Sequence, residues 1–325
     1  MFVPEYSITN NTLNSIAACE YAKAVIENTT ILSNFQKRQQ KEAKLEFISN
    51  TLKFYGIAAD YEAIKRKVEG LDNKPNPYIL GLLDALSLVQ EMSASAELDD
   101  DSIKQILCAL IRDPKAGSYR ERKIEGKVLP EEILANIGEL IDWHNSLDAK
   151  ETHPLIVAGI MKAQLDIIFP FEEFNHTVTS LVALFVLQAN GYKLNEYSLP
   201  QNFYIKSKKV CETTLFLTRE EEDFTTWLEY FTEGIASELS NLEQKVKLMV
   251  KDSKIARTTT KTDLTERQER IIEYLQDYGP IQNKHFSVIF PDKSEDSILR
   301  DLKKLIDDGI IAKRGSTKSS RYELV

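Results

Sequence analysis

Over the first 250 residues of this 325-residue chain the apolar side chains recur with the period of a helix, and runs that alternate strictly are few. The spacing predicts amphipathic or buried helices over 12–28, 32–55, 58–69, 77–93, 100–112, 130–146, 154–168, 176–189, 200–216 and 222–248. Punctuation agrees with those limits. Gly56 follows the second helix, Asn73-Lys74-Pro75-Asn76-Pro77 makes a turn, and Gly191 stands where a helix C-terminal cap belongs. The chain is therefore expected to be mainly α. One stretch departs from the pattern: residues 117–129, GSYRERKIEGKVL, alternate in polarity about Glu125-Gly126 and read as a small β-hairpin flap on the helical body.

The apolar period stops in Lys251–Thr262, a basic, threonine-rich stretch that reads as a linker. A compact segment follows. Thr265-Glu266-Arg267-Gln268 has the form of a capping box opening a helix that reaches Gly279-Pro280. A short helix covers Asn283–Ile289. A third, after Pro291-Asp292-Lys293-Ser294, places Ile298, Leu302 and Leu305 at i, i+4 and i+7. Strands at Ile310–Lys313 and Arg321–Val325 flank the basic tip Arg314-Gly315-Ser316-Thr317-Lys318-Ser319-Ser320. Three helices followed by a β-hairpin is the order of a winged helix-turn-helix.

Composition narrows the chemistry. The 12 glycines are close to 4% of the chain, against a usual share of about 7%, and there are 4 histidines. A glycine-rich phosphate loop or a multi-histidine metal site has few residues to draw on. The net charge of −9 argues against a chain-wide nucleic-acid surface, but residues 251–325 hold 15 basic and 13 acidic side chains, so that module is +2 and the rest −11. Cys19, Cys108 and Cys211 are distant and odd in number, and read as reduced thiols of a cytoplasmic protein. The start, MFVPEYSITN, lacks the pattern of a signal peptide, and the longest apolar run, the seven residues Leu181–Leu187, is far short of the roughly 18 that span a bilayer.

The stretch His153-Pro154-Leu155 to Ile168, then Phe169-Pro170-Phe171-Glu172-Glu173-Phe174-Asn175-His176-Thr177-Val178-Thr179-Ser180, then an apolar helix, makes a helix, a loop and a buried second helix. A loop entering a helix N-terminus converges backbone N–H groups on one point, where anions can be held. Here the chain resembles the Fic (fido) family, whose motif is H-x-F-x-[D/E]-G-N-G-R-x-x-R. Further likeness lies in HPLIVAGIMKAQLDIIFPF, in Ile111-Arg112-Asp113-Pro114 with Tyr119-Arg120, in Leu129-Pro130-Glu131-Glu132, and in Trp227-Leu228-Glu229-Tyr230-Phe231 with Gly234-Ile235. The resemblance covers roughly residues 10–245. It implies a Fic-type helical bundle with the flap, joined to the winged helix, and the organisation 1–95 (associated helices), 96–250 (Fic-like), 251–263 (linker) and 264–325 (winged helix).

That family transfers AMP, or occasionally another phosphate-containing group, from a nucleotide to a hydroxyl. Its histidine is the general base, its acidic residue holds Mg²⁺, its asparagine orients the loop, its glycines let amides reach the phosphates and its arginines neutralise them. In this chain Phe169 stands at the base position. Glu173 and Asn175 are retained. Phe174 and His176 replace the glycines, and Thr177 and Ser180 replace the arginines. At the family's NRxxYYxxL segment stand Ser207, Lys208, Cys211, Glu212 and Leu215, with both tyrosines gone. The inhibitory [S/T]xxxE[G/N] is echoed by Lys23 with Glu27-Asn28, for which Ser180 offers no arginine.

The resemblance thus implies a regulator impaired in AMP transfer. The alternative is an active or residual adenylyltransferase with a noncanonical motif, and ATP and Mg²⁺ enter as cofactors only in that case. Glu173 is either a metal ligand or a carboxylate beside a helix start. His176 is either a displaced base or a packing residue of the first turn. Arg120, Glu125 and Lys127 read as solvated flap charges, with docking of a target protein along 117–129 as the functional option. Lys293, Arg300, Lys303 and Lys304, with Lys313, Arg314, Lys318 and Arg321 around the hairpin, are the expected contacts to DNA. The nearby Asp292, Glu295, Asp296, Asp307 and Asp308 keep a protein-contact role open. No membrane partner is expected, and a second copy of the chain is kept as a candidate.

Overall fold

The computed structural model describes residues 2–29, 33–70, 76–94, 98–192, 203, 207–259, 264–290, 294–315 and 320–324. Packing divides the chain into two compact units, one essentially up to Lys245 and one from Val246 onward.

The first unit is helical: α1 Asn10–Glu27, α2 Ser33–Phe54, α3 Tyr61–Val68, α4 Pro77–Met92, α5 Asp100–Ile111, α6 Ile133–Asn145, α7 Leu147–Glu151, α8 Pro154–Ile168, α9 Asn175–Ala189, α10 Lys208–Glu221 and the part up to Lys245 of α11, Thr225–Thr259. Caps set the starts. The Thr9 hydroxyl accepts from the Thr12 amide, the Asp99 carboxylate from the Ser102 amide, and Asn76 caps α4 directly before Pro77. The centre is the α8–α9 hairpin. Leu181 to Leu187 are all buried on α9, and α8 buries Leu155 through Ala163 around nearly its whole circumference. Helices buried on all sides must be walled in by others, and α4, α5 and α6 pack around this pair. Close approach depends on glycine, as two positions show. A Cβ on Gly81 would lie 1.9 Å from the Leu110 carbonyl oxygen of α5, and one on Gly159 would lie 2.7 Å from Leu228 of α11. Trp227 uses that room to donate from Nε1 to the Gly159 carbonyl at 2.8 Å.

Expectation and structure differ at three places. Residues 117–129 form no strand: the Arg120 guanidinium bonds the carbonyls of Arg122 and Val128, so the segment closes on a side chain rather than on a ladder. α11 runs on to Thr259, through most of the stretch read as a linker, because a helix needs backbone hydrogen bonds and not an apolar face to continue. The helix expected over 200–216 is described from Lys208 to Glu221, and its early part falls largely outside the described residues.

The second unit has α12 Glu266–Tyr278, β1 Ile281–Gln282, the short α13 Phe286–Ile289, α14 Glu295–Asp307, β2 Ile311–Arg314 and β3 Arg321–Leu324. Thr265 and Gln268 form the capping box. Ile298, Leu302 and Leu305 bury with Ile271, Leu275, Phe286, Phe290, Ile311 and Tyr322 into one core. The sheet is antiparallel in the order β1-β3-β2, with Ile281 paired to Tyr322 and Lys313 to Tyr322 on its other side. The two-residue β1 is too short to leave a periodic signature.

Candidate functional site

The loop between α8 and α9 begins at Phe169, in the left-handed region at φ 55°, and ends at Phe174, also left-handed at φ 56°. Bulky residues rarely sit there, so the conformation must be held from outside. Asn175 holds it from within reach. Its Nδ2 donates to the Phe171 carbonyl at 2.6 Å and its Oδ1 accepts from the Phe171 amide at 2.9 Å, with the side chain buried.

Arg120, read from sequence as a solvated flap charge, is 1% exposed. Its guanidinium bonds Phe169 O at 2.7 Å, Ile168 O at 3.3 Å and Arg122 O at 2.7 Å, and also Val128 O, while its amide donates to Pro170 O at 2.9 Å. Lys127 is half-buried and donates to Asp166 O at 2.8 Å. Burial lowers its pKa, and Asp166 opposes that shift. The two cations thus satisfy the carbonyls that end α8, where positive charge is also favoured by the helix dipole. Glu125 is exposed, as expected.

Between α8 and α9 lies a polar cluster hidden within an apolar sequence. Asp166 is buried; its Oδ2 is 2.9 Å from Lys162 Nζ, and its Oδ1 accepts from Thr179 Oγ1 at 2.9 Å and lies 3.0 Å from His176 Nδ1. Lys162 also donates to Thr179 Oγ1 at 3.1 Å. Burial would raise the carboxyl's pKa, but the Lys162 ammonium, His176 and these hydrogen bonds outweigh it and hold the group well below the usual range. His176 is therefore tied into α8, and its ring meets Phe54 edge-on at 5.3 Å and Phe169 at 6.1 Å.

The other loop residues are placed as follows. Thr177 is buried and its hydroxyl donates to Tyr55 OH at 3.3 Å; Ser180 returns its hydroxyl to His176 O at 2.7 Å. Burial, the largest effect, raises the Tyr55 phenol's pKa to about 12, and the hydrogen bond from the Thr177 hydroxyl opposes it. Phe174 packs on the Tyr55 ring at 4.9 Å. Tyr55, at the end of α2, escaped sequence reasoning because nothing near it marks chemistry. Glu173 is exposed, and Glu172 pairs with Arg122 at 3.4 Å. Among the described residues no three His, Cys, Asp or Glu side chains converge as a metal site. Glu27 is exposed, and Asn28 caps α1, donating to Ala24 O at 2.8 Å. Ser207 shares a hydrogen bond with Tyr230 OH at 2.6 Å, and burial pushes the Cys211 thiol up to about 11. The other cysteines are also free, Cys19 buried and Cys108 half-buried.

In the second unit, Arg300, Lys303 and Lys304 are exposed on one face of α14, and Arg300 Nε donates to Asp296 O at 3.4 Å. On the hairpin, Arg314 and Arg321 are register partners, Arg314 is ion-paired to Glu323 at 2.6 Å, and Lys313 lies 5.9 Å over the Tyr322 ring. Lys293 and Lys318 lie outside the described residues. Among those described, no helix is long and apolar enough to cross a membrane.

No model of a known protein family matches the chain, and none of the curated proteins does. Solved structures do. A Fic family protein from Desulfovibrio desulfuricans is 16% identical, with a TM-score of 0.66 over 100% of this chain and 98% of that one. A Fic domain containing signaling protein from Bacteroides thetaiotaomicron is 18% identical, with a TM-score of 0.57 over 73% of this chain and 98% of its own. Fic-1 from C. elegans is 14% identical, with a TM-score of 0.58 over 72% of each chain. At such identities a likeness speaks for architecture, and on it this chain has the Fic fold.

Proposed function

We propose that this protein is a Fic-fold regulator that has lost efficient AMP transfer and acts on DNA through a C-terminal winged helix. The observation that carries the first half is Tyr55. Its hydroxyl accepts from the Thr177 hydroxyl at 3.3 Å in the first turn of α9, the turn whose amides the family resemblance brings to phosphate oxygens, so a neutral phenol stands beside the place of an anion. Phe169 offers no imidazole at the base position, and Phe174, left-handed at φ 56°, presents a ring where the resemblance expects a glycine. Incubation with α-labelled ATP and Mg²⁺ is expected to transfer no label to the protein or to a lysate. Magnesium-dependent transfer that Glu173→Ala or Asn175→Ala abolishes would sink this half of the reading.

For the second half, α12, α13 and α14 followed by the β2–β3 hairpin follow the order of a winged helix, and α14 presents Arg300, Lys303 and Lys304 together. Glu295 and Asp296 open α14, so cationic contact is concentrated in its later turns and in the hairpin. Contacts of this kind to phosphates weaken steeply with salt. A mobility-shift titration of the full chain at two salt concentrations is expected to show binding that falls as salt rises, and weaker binding for Lys303→Ala with Lys304→Ala. No shift even at low salt would leave the module as a protein contact.

A further inference from the structure

The tautomer of a histidine is set by what its ring nitrogens touch, and it decides which nitrogen keeps a lone pair. The chain has 4 histidines, all among the described residues. At His153, Nδ1 accepts the Leu155 amide at 3.3 Å, and Nε2 lies 3.4 Å from Glu20. At His285, Nδ1 accepts the Gln282 amide at 3.3 Å. Both rings therefore carry their proton on Nε2. His144 has a buried Nδ1 without a partner among the described residues, and burial lowers its pKa.

His176 is the reverse. Asp166 is held ionised and can only accept, so Nδ1 donates to it at 3.0 Å and the lone pair is left on Nε2. The side chain is 32% exposed, while the carboxylate behind it is 0% exposed. A buried carboxylate on the near nitrogen fixes the orientation of the ring and stabilises positive charge that develops on it. The charges around it suit an anionic group. Lys162 lies 2.9 Å from the same carboxylate. The Lys127 ammonium lies 5.0 Å over Phe169 and that of Lys208 lies 4.6 Å over Phe54, the two rings that flank the imidazole, with Glu212 3.8 Å from Lys208.

We propose that His176 is a phosphoryl-acceptor site, taking a phosphoryl group on Nε2 from a small reactive donor of the acyl phosphate or phosphoramidate class. The Nε2 lone pair attacks phosphorus and forms the N–P bond as the donor's P–O or P–N bond breaks. The leaving carboxylate or ammonia departs with that electron pair, ammonia after taking a proton from water. Nδ1 keeps its proton, and Asp166 balances the charge of the ring. This site goes beyond the regulatory reading above, and each can stand without the other.

The test treats the full chain with potassium phosphoramidate under native conditions and maps acid-labile phosphohistidine by mass spectrometry over time. His176 is expected to label at least about tenfold faster than His144, His153 and His285, and Asp166→Asn to slow it by about the same factor. Since that variant can unfold, the wild-type protein is also treated in urea, where the advantage of His176 should vanish. Labelling of His176 no faster than the other three in the native protein overturns the proposal, as does a folded Asp166→Asn variant that reacts at the wild-type rate.

Discussion

Asp166→Ala is expected to destabilise the first unit by about 3–5 kcal/mol, because it strands the buried Lys162 ammonium without its carboxylate. The magnitude follows from asymmetry. An intact buried pair adds little net stability over an apolar replacement, but half a pair leaves an unsolvated charge. The double variant Lys162→Met with Asp166→Ala should therefore recover most of the loss. Urea unfolding followed by tryptophan fluorescence suits the measurement, since the chain's 2 tryptophans, Trp143 and Trp227, are both buried in this unit. A single-variant loss below about 1 kcal/mol would show that water or rearrangement compensates Lys162.

The same pair has a signature in pH. The folded-state pKa of Asp166 lies below its unfolded value, so its contribution is fully present above about pH 4, the unfolded carboxyl range, and is lost as pH falls toward the folded value. Below about pH 4 the stability gap between wild type and Asp166→Asn should narrow. A gap that widened below about pH 4 would mean that Asp166 is not the charged partner.

Arg120→Met is expected to be of similar severity, about 3–5 kcal/mol. Met preserves much of the side chain's volume but strips donors from the carbonyls of Phe169, Ile168, Arg122 and Val128 together. Arg120→Lys should recover only part, because an ammonium cannot span that set as a planar fork does. A local readout separates this from general weakening: trypsin should cut at Arg122 and Lys123 much faster in the variant, since the segment that Arg120 closes would open. Unchanged cleavage and unchanged unfolding would show that other contacts hold residues 117–129.

What could be read in advance, and what could not, follows from range. Thr265 and Gln268 are three residues apart, and Ile298, Leu302 and Leu305 repeat within two turns, so local rules reach them. Leu181–Leu187 announced a buried helix by its uninterrupted apolarity. Lys162 and Asp166 were hidden for the opposite reason: i, i+4 charges in an apolar helix look like a solvated face until α9 covers them with Thr179 and His176. Tyr55 is more than a hundred residues from Thr177, and Arg120 nearly fifty from Phe169, so neither contact has a local trace in the sequence. The expected flap hairpin failed on the same ground, because a side chain, and not a neighbouring strand, satisfied its carbonyls.

The left-handed backbone at Phe169 and Phe174 bears on inheritance. Each such residue strains the chain by about 1–3 kcal/mol and persists only where its surroundings leave no other path. Arg120 grips the loop from one side, Asn175 ties it from below and Tyr55 stops the turn that follows. The loop is thus a casting, and its mould lies in α2, the 117–129 segment and α8. A mould of that kind lets residues inside it be exchanged one at a time without the path collapsing.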